Sequence, residues 1–163
     1  MKPIRMTPFA ALSVLFLALT YATLAKERKP KISEVAFDGA ATDLFYFDDS
    51  DIVIFTDEQT KLVHRSIDAG GSWNVIKSIP KDVIKLVVGH PFDKHTAIAV
   101  GTTMHWITED RGDSWRSFLT EDEVSTLGRK QPIGFHASDS KKMLIHTARC
   151  NIFGCEDHKV KSL

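Results

Sequence analysis

What the chain has little of narrows it first. Its 21 Lys and Arg are cancelled by 21 Asp and Glu, so it lacks the basic footprint of a nucleic-acid binder. Seven histidines occur with no His-x-x-x-His or His-Glu-x-x-His spacing, so most are expected in strands or loops. Neither asparagine, Asn74 nor Asn151, opens an Asn-x-Ser/Thr sequon, so no N-glycosylation is expected. After the first 25 residues no apolar run is long enough to span a bilayer. Nor is there a helical period beyond that point, whereas short apolar runs punctuated by Gly, Pro and Asp recur. That pattern is all-β.

What the chain does have is a repeat. Ser66-Ile67-Asp68-Ala69-Gly70-Gly71-Ser72-Trp73 and Thr108-Glu109-Asp110-Arg111-Gly112-Asp113-Ser114-Trp115 share the pattern [S/T]-x-D-x-G-x-S-W, 42 positions apart. A period near forty suits a four-stranded propeller blade. Each octet reads as a tight hairpin turn. Gly70 and Gly112 supply a positive φ without steric cost. Asp68 and Asp110 can accept backbone N–H bonds across the turn, as can the hydroxyls of Ser66 and Thr108. Trp73 and Trp115 open the next strand and offer an apolar face to cover the turn. These structural needs account for the residue types, so the aspartates are read as turn-formers rather than catalysts. The adhesion-like tripeptide Arg111-Gly112-Asp113 is absorbed by the same turn.

In chain order, residues 1–25 form a secretory leader: Lys2 and Arg5, an apolar stretch from Phe9 to Leu19, and a small-residue site at Thr23-Leu24-Ala25. Residues 26–41 are a charged leader followed by an alternating segment, Ile32–Phe37, expected as a strand. The repeats then align. Leu44–Phe47, Ile52–Thr56, Lys61–Ser66 and Trp73–Ile76 are the strands of a first blade, about 42–80. Val83–Val88, Thr96–Val100, Met104–Thr108 and Trp115–Phe118 form a second, about 81–122. Glu121–Lys130 reads as a longer loop. Ile133–His136 and Met143–Thr147 begin an incomplete third unit over 130–163, with His90-Pro91-Phe92-Asp93 and His136-Ala137-Ser138-Asp139 in matching places. Two and a half units leave the ring incomplete, since a propeller typically closes with four to eight blades. The chain is therefore expected as the amino-terminal piece of a larger protein, with open strand edges.

Cys150 and Cys155 sit late in the third unit. Behind a secretory leader an even count reads as a disulfide. The competing reading is a zinc site with His136, His146 and His158, which the Cys-x4-Cys spacing matches poorly; no metal and no cofactor is expected.

The octets resemble Asp-boxes (BNR repeats), found in sialidases, other glycosidases and the sortilin/Vps10 family. Asp43-Leu44-Phe45-Tyr46-Phe47-Asp48-Asp49-Ser50, Val63-His64-Arg65-Ser66, His90-Pro91-Phe92-Asp93, His105-Trp106-Ile107-Thr108 and Gly112-Asp113-Ser114-Trp115-Arg116-Ser117-Phe118 resemble the start of fungal Vps10-type vacuolar sorting receptors. The resemblance runs from about Lys31 to Cys155. It implies the start of a ten-bladed propeller of four-stranded antiparallel blades, on a receptor that carries soluble vacuolar hydrolase precursors from late Golgi to endosome. It also implies a secretory-pathway location, a Golgi/endosome membrane for the full-length receptor, and no enzymatic activity. A sialidase-like hydrolase is the alternative, but no Arg-Ile-Pro occurs and Tyr46 is the one tyrosine beyond the leader. An inactive truncated product is the third reading.

Overall fold

The computed structural model describes Ile32 and residues 34–124, 131–152 and 154–163; apart from Ile32 these lie in one compact unit, Ser33–Leu163. The leader expected over 1–25 and the charged residues after it lie outside the described residues. Every described element is a strand: β1 (Ala41–Tyr46), β2 (Val53–Asp57), β3 (Val63–Ser66), β4 (Asn74–Val75), β5 (Leu86–Gly89), β6 (Ala97–Val100), β7 (Met104–Thr108), β8 (Arg116–Leu119), β9 (Glu123–Val124), β10 (Ile133–Phe135), β11 (Met143–Asn151) and β12 (Gly154–Ser162). The fold is all-β. Three antiparallel sheets result, ordered β1-β2-β3-β4, β5-β6-β7-β8 and β10-β11-β12, with β9 paired to β11 beside β10. They are the blades of an incomplete propeller, the first two four-stranded as the 42-residue period predicts.

Strand β6 shows why the sheets stack. Its side chains alternate between two faces, and all four residues are buried. Ala97 and Ala99 join Phe47, Ile54, Val63, Ile79 and Trp106 in a core between the first and second sheets. Ile98 and Val100 join Val124, Ile133, Met143 and Ile145 in a core between the second and third. Ile98 is 0% exposed, and full burial of such a side chain stabilises by about 1.5–3 kcal/mol. A central strand with two apolar faces is what a blade wedged between neighbours requires.

Two stretches differ from the sequence reading. Glu34–Ala40 is not a strand. Its apolar residue Phe37 packs on the far face of the first sheet, with ring centroids 4.6 Å from Phe55 and 5.8 Å from Trp73. The segment is held by side-chain and terminal contacts, Gly39 N–H to Asp57 Oδ2 (3.2 Å) and Glu58 N–H to Ala40 O (2.9 Å), instead of a ladder. The third unit also contains more strand than expected. β11 continues to Asn151 and β12 returns from Gly154, while Glu123–Val124, read as loop, forms β9.

Candidate functional site

Each sheet presents a turn before its second long strand, and in the first and second sheets that turn lies at the same end as the Asp-box turn. The turns close alike: Phe47 N–H to Ile52 O at 2.9 Å, His90 N–H to Thr96 O at 2.9 Å, and His136 N–H to Lys142 O at 3.1 Å. Asp93 and Asp139 accept the backbone N–H groups of His95 (2.9 Å) and Lys141 (3.2 Å), the local bonding that favours Asp in turns. The matching places of His90 and His136 are thus matching turns.

The Asp-box turns hook onto these. In the first, Ser66 Oγ donates to Asp68 Oδ1 (2.7 Å) and accepts from Gly70 N–H (2.9 Å), while Asp68 accepts from Ser72 N–H (2.8 Å) and Ser72 Oγ (2.7 Å). In the second, Thr108 Oγ1 donates to Asp110 Oδ1 (2.7 Å) and accepts from Gly112 N–H (2.8 Å), and Asp110 accepts from Ser114 N–H (2.9 Å) and Ser114 Oγ (2.5 Å). Gly70 and Gly112 have φ of 89° and 79°. Ala69 and Arg111 also have positive φ, 56° and 60°, which the sequence did not signal because neither is Gly or Asn. Their N–H groups explain it: Ala69 donates to Asp51 O (2.8 Å) and Arg111 to His95 O (2.9 Å), tying each Asp-box to the turn before its second strand.

These contacts fix the carboxylates' chemistry. The Ser66 hydroxyl, then the Ser72 hydroxyl and N–H, hold Asp68 down at about 2. Burial pushes Asp110 up, but the Ser114 hydroxyl and N–H and the Thr108 hydroxyl outweigh it and leave it lowered. Both are ionised hydrogen-bond acceptors engaged in their own turns, with no proton to give at neutral pH. Tyr46, the residue a sialidase-like reading needs, donates its hydroxyl to Ala69 O (3.4 Å) beside the first turn.

Between the three sheets' first turns lies a cleft of about 660 Å³, lined by Asp48 and Asp49, by His90–His95, and by Ala137–Ser140. Lys94 bridges to Asp49 at 3.0 Å, and Arg111 Nη2 lies 3.0 Å from His95 Nε2. The Lys94 hydrogen bond lowers Asp49. His90 is buried, its ring 4.5 Å edge-on from Phe135, and burial lowers its pKa. Phe92 is one of the lining residues, 62% exposed, and aromatic residues are enriched where proteins contact one another.

Among the described residues no group of three or more His, Cys, Asp or Glu is placed to hold a metal. His136 is not gathered with the others: its Nδ1 accepts from Ser138 N–H at 3.3 Å in its own turn. His146 and His158 do meet, across β11 and β12. The register sets Cys150 opposite Cys155. No described helix is long and apolar enough to cross a membrane.

Repeated Asp-box turns on stacked four-stranded antiparallel sheets define an Asp-box propeller, and the comparisons place it. Residues 61–162 match the family model Sortilin-Vps10, described as sortilin, neurotensin receptor 3. The chain belongs to the Sortilin-Vps10 family. It is 40% identical over 145 residues to the vacuolar protein sorting/targeting protein 10 of Uncinocarpus reesii, covering 86% of this chain and 9% of that protein. The proteins of the same name from Leptosphaeria maculans (40% identity, 80% of this chain, 8% of that protein) and Fusarium vanettenii (36%, 98% and 11%) are similar to it as well. The chain spans about a tenth of the length of these curated relatives.

Proposed function

We propose that the chain supplies the first blades of the propeller of a vacuolar sorting receptor, which binds soluble vacuolar hydrolase precursors in the late Golgi and delivers them to the endosome. The observation that carries this reading is the family match over residues 61–162, joined to relatives named for vacuolar protein sorting and targeting. The secretory pattern of residues 1–25 supports a luminal location. The engagement of Asp68 and Asp110 in their own turns supports a binding rather than a hydrolytic role. The cleft around Phe92 is the surface we assign to cargo.

The test is a graft. Residues 26–163 replace the matching segment of the Uncinocarpus reesii relative in a fungal host lacking its own receptor, and secreted hydrolase precursor is measured. Retained delivery to the vacuole is expected, with secretion rising when Phe92→Ala is placed in the graft. Full secretion by cells that hold the intact graft at normal abundance would overturn the reading.

A disulfide between Cys150 and Cys155 is proposed with it. Directly opposed strand residues lie about 4.5–5.5 Å apart, inside the window of about 4.4–6.8 Å that a disulfide accepts. Closing so short a loop stabilises by about 2 kcal/mol in the chain-entropy account. Non-reducing peptide mass spectrometry should find the two cysteines in one linked fragment; two alkylatable thiols would refute it.

A further inference from the structure

His146 and His158 are twelve positions apart in sequence, and the β11–β12 hairpin brings their rings together. Met143 and Ile145 pack toward the second sheet, so by strand alternation His146 lies on the opposite face with Leu144. His146 is paired in register with Val160, and His158 is the next residue on the same face toward the hairpin tip. Diagonal neighbours of this kind are within reach of ring side chains. The rings are nearly parallel, 19° apart with centroids at 5.1 Å, and His146 Nε2 lies 3.1 Å from His158 Nδ1.

A hydrogen bond between two imidazoles requires that one of the facing nitrogens be bare. A lone pair is therefore already aimed into the gap, and a tautomer change that moves the shared proton to the donor ring's other nitrogen exposes a second. A cation about 2.0–2.1 Å from each nitrogen, the zinc–imidazole bond length, would see the pair at an angle of about 95–100°. That angle falls between those of tetragonal and tetrahedral sites, and imidazole suits the late first-row divalent ions that adopt them. The nearby cationic side chains are occupied elsewhere: Lys159 with Asp122 (2.9 Å), Lys161 with Glu121 (2.7 Å) and Arg149 with Asp157 (3.2 Å). We propose that His146 and His158 form a two-histidine site for Cu²⁺, Ni²⁺ or Zn²⁺, with water completing the coordination shell. With no carboxylate in the pair, the site discriminates against Ca²⁺ and Mg²⁺, which take oxygen ligands. The inference stands apart from the sorting role and does not depend on it.

The test is titration of the full chain, without a histidine tag, with Cu²⁺ followed by electron paramagnetic resonance, and with Zn²⁺ by calorimetry. One equivalent should bind saturably, with Cu²⁺ hyperfine structure from two nitrogens. His146→Ala and His158→Ala should each weaken binding at least about tenfold, the low end of what loss of even a supporting residue costs a metal site. If either variant loses its near-ultraviolet circular dichroism, protection of both histidines from diethyl pyrocarbonate by Zn²⁺ in the unaltered chain decides instead. No saturable binding, binding that survives both substitutions, or no protection would each overturn the site.

Discussion

In the first sheet Ser66 accepts from Gly70 N–H at 2.9 Å, and in the second Thr108 accepts from Gly112 N–H at 2.8 Å; the aspartate bonds match as closely. The surroundings do not match. Around Gly70 the nearest atom a Cβ would meet is Cζ2 of its own Trp73, at 3.5 Å. Around Gly112 it is Cδ1 of Ile54 in the neighbouring sheet, at 2.7 Å, with Arg65 Cδ at 3.4 Å. Arg65 also donates from Nε to Arg111 O (2.9 Å) and pairs with Asp113 (3.3 Å). The second Asp-box is therefore a docking element as well as a turn: its loop seats on the blade before it. A repeat conserves the bonds that close the turn, and the blade-to-blade contact is added by residues outside the motif.

The largest effect that separates the two blades lies in their third strands. Forty-two positions before His105 stands Val63, and both are buried. His105 is 0% exposed, with Nε2 2.9 Å from Thr120 Oγ1 and Nδ1 without a partner. Burial, aided by the charge of Lys85, pushes its pKa down to about 4. Its neutral form is favoured by folding, so this contribution is complete above the unfolded value near 6.5 and is lost as pH falls through about 4. The shift corresponds to about 3 kcal/mol at 1.36 kcal/mol per pKa unit. Urea midpoints between pH 7 and pH 3.5 should fall steeply, and His105→Val, copying Val63, should flatten that fall. An unchanged slope in the variant would show that His105 is not the group responsible.

Next in size is the glycine comparison. Ala in place of Gly70 or Gly112 meets the left-handed backbone penalty of about 1–2 kcal/mol. Gly112→Ala must in addition displace Ile54, which is fully buried, and overpacking of that kind costs about 1–3 kcal/mol. Denaturant midpoints should therefore fall further for Gly112→Ala than for Gly70→Ala. Equal losses would mean that the second turn is no more docked than the first.

A smaller effect tests the contact from the other side. Arg65→Met removes the hydrogen bond to Arg111 O, worth about 1 kcal/mol. Asp113 is 75% exposed, and such pairs contribute about 0–1 kcal/mol, so Asp113→Asn should be close to silent. A double-mutant cycle in which Asp113 carries the larger share would reverse the assignment.

What was legible from sequence divides along the same line. The turn chemistry of Ser66, Asp68 and Gly70, and of their counterparts, was readable because each residue type has a local reason to be there. So was the strand order of the first two sheets, because β-meanders need no long-range information. Positive φ at Ala69 and Arg111 was not legible, since the cause is a bond to Asp51 O or His95 O many residues away. Phe37 alternated like a strand residue but serves as a ring packed on Phe55. The union of His146 with His158 depended on β12, whose polar run from Glu156 to Lys159 gave no strand signal.

The smallest effect concerns the two aspartates themselves. Asp68 is exposed yet held at about 2 by the Ser66 and Ser72 hydroxyls and the Ser72 N–H, whereas burial of Asp110 opposes its own hydrogen bonds. For a carboxylate whose folded pKa is lowered, stability is present above the unfolded value and drains as pH falls through the folded one. For Asp68 that window runs from about 4 down to about 2. Asp68→Asn retains an acceptor oxygen but has no charge to lose, so the difference between variant and unaltered chain should be constant above pH 5 and shrink toward pH 2. Asp110→Asn should show the same sign over a narrower span, because burial works against the lowering at that position. Chemical-denaturation curves at half-unit pH steps would resolve the two. If the Asp68 difference stayed flat to pH 2, its hydroxyl partners would not be holding the ionised form, and the first turn would owe its shape to Gly70 and the backbone alone.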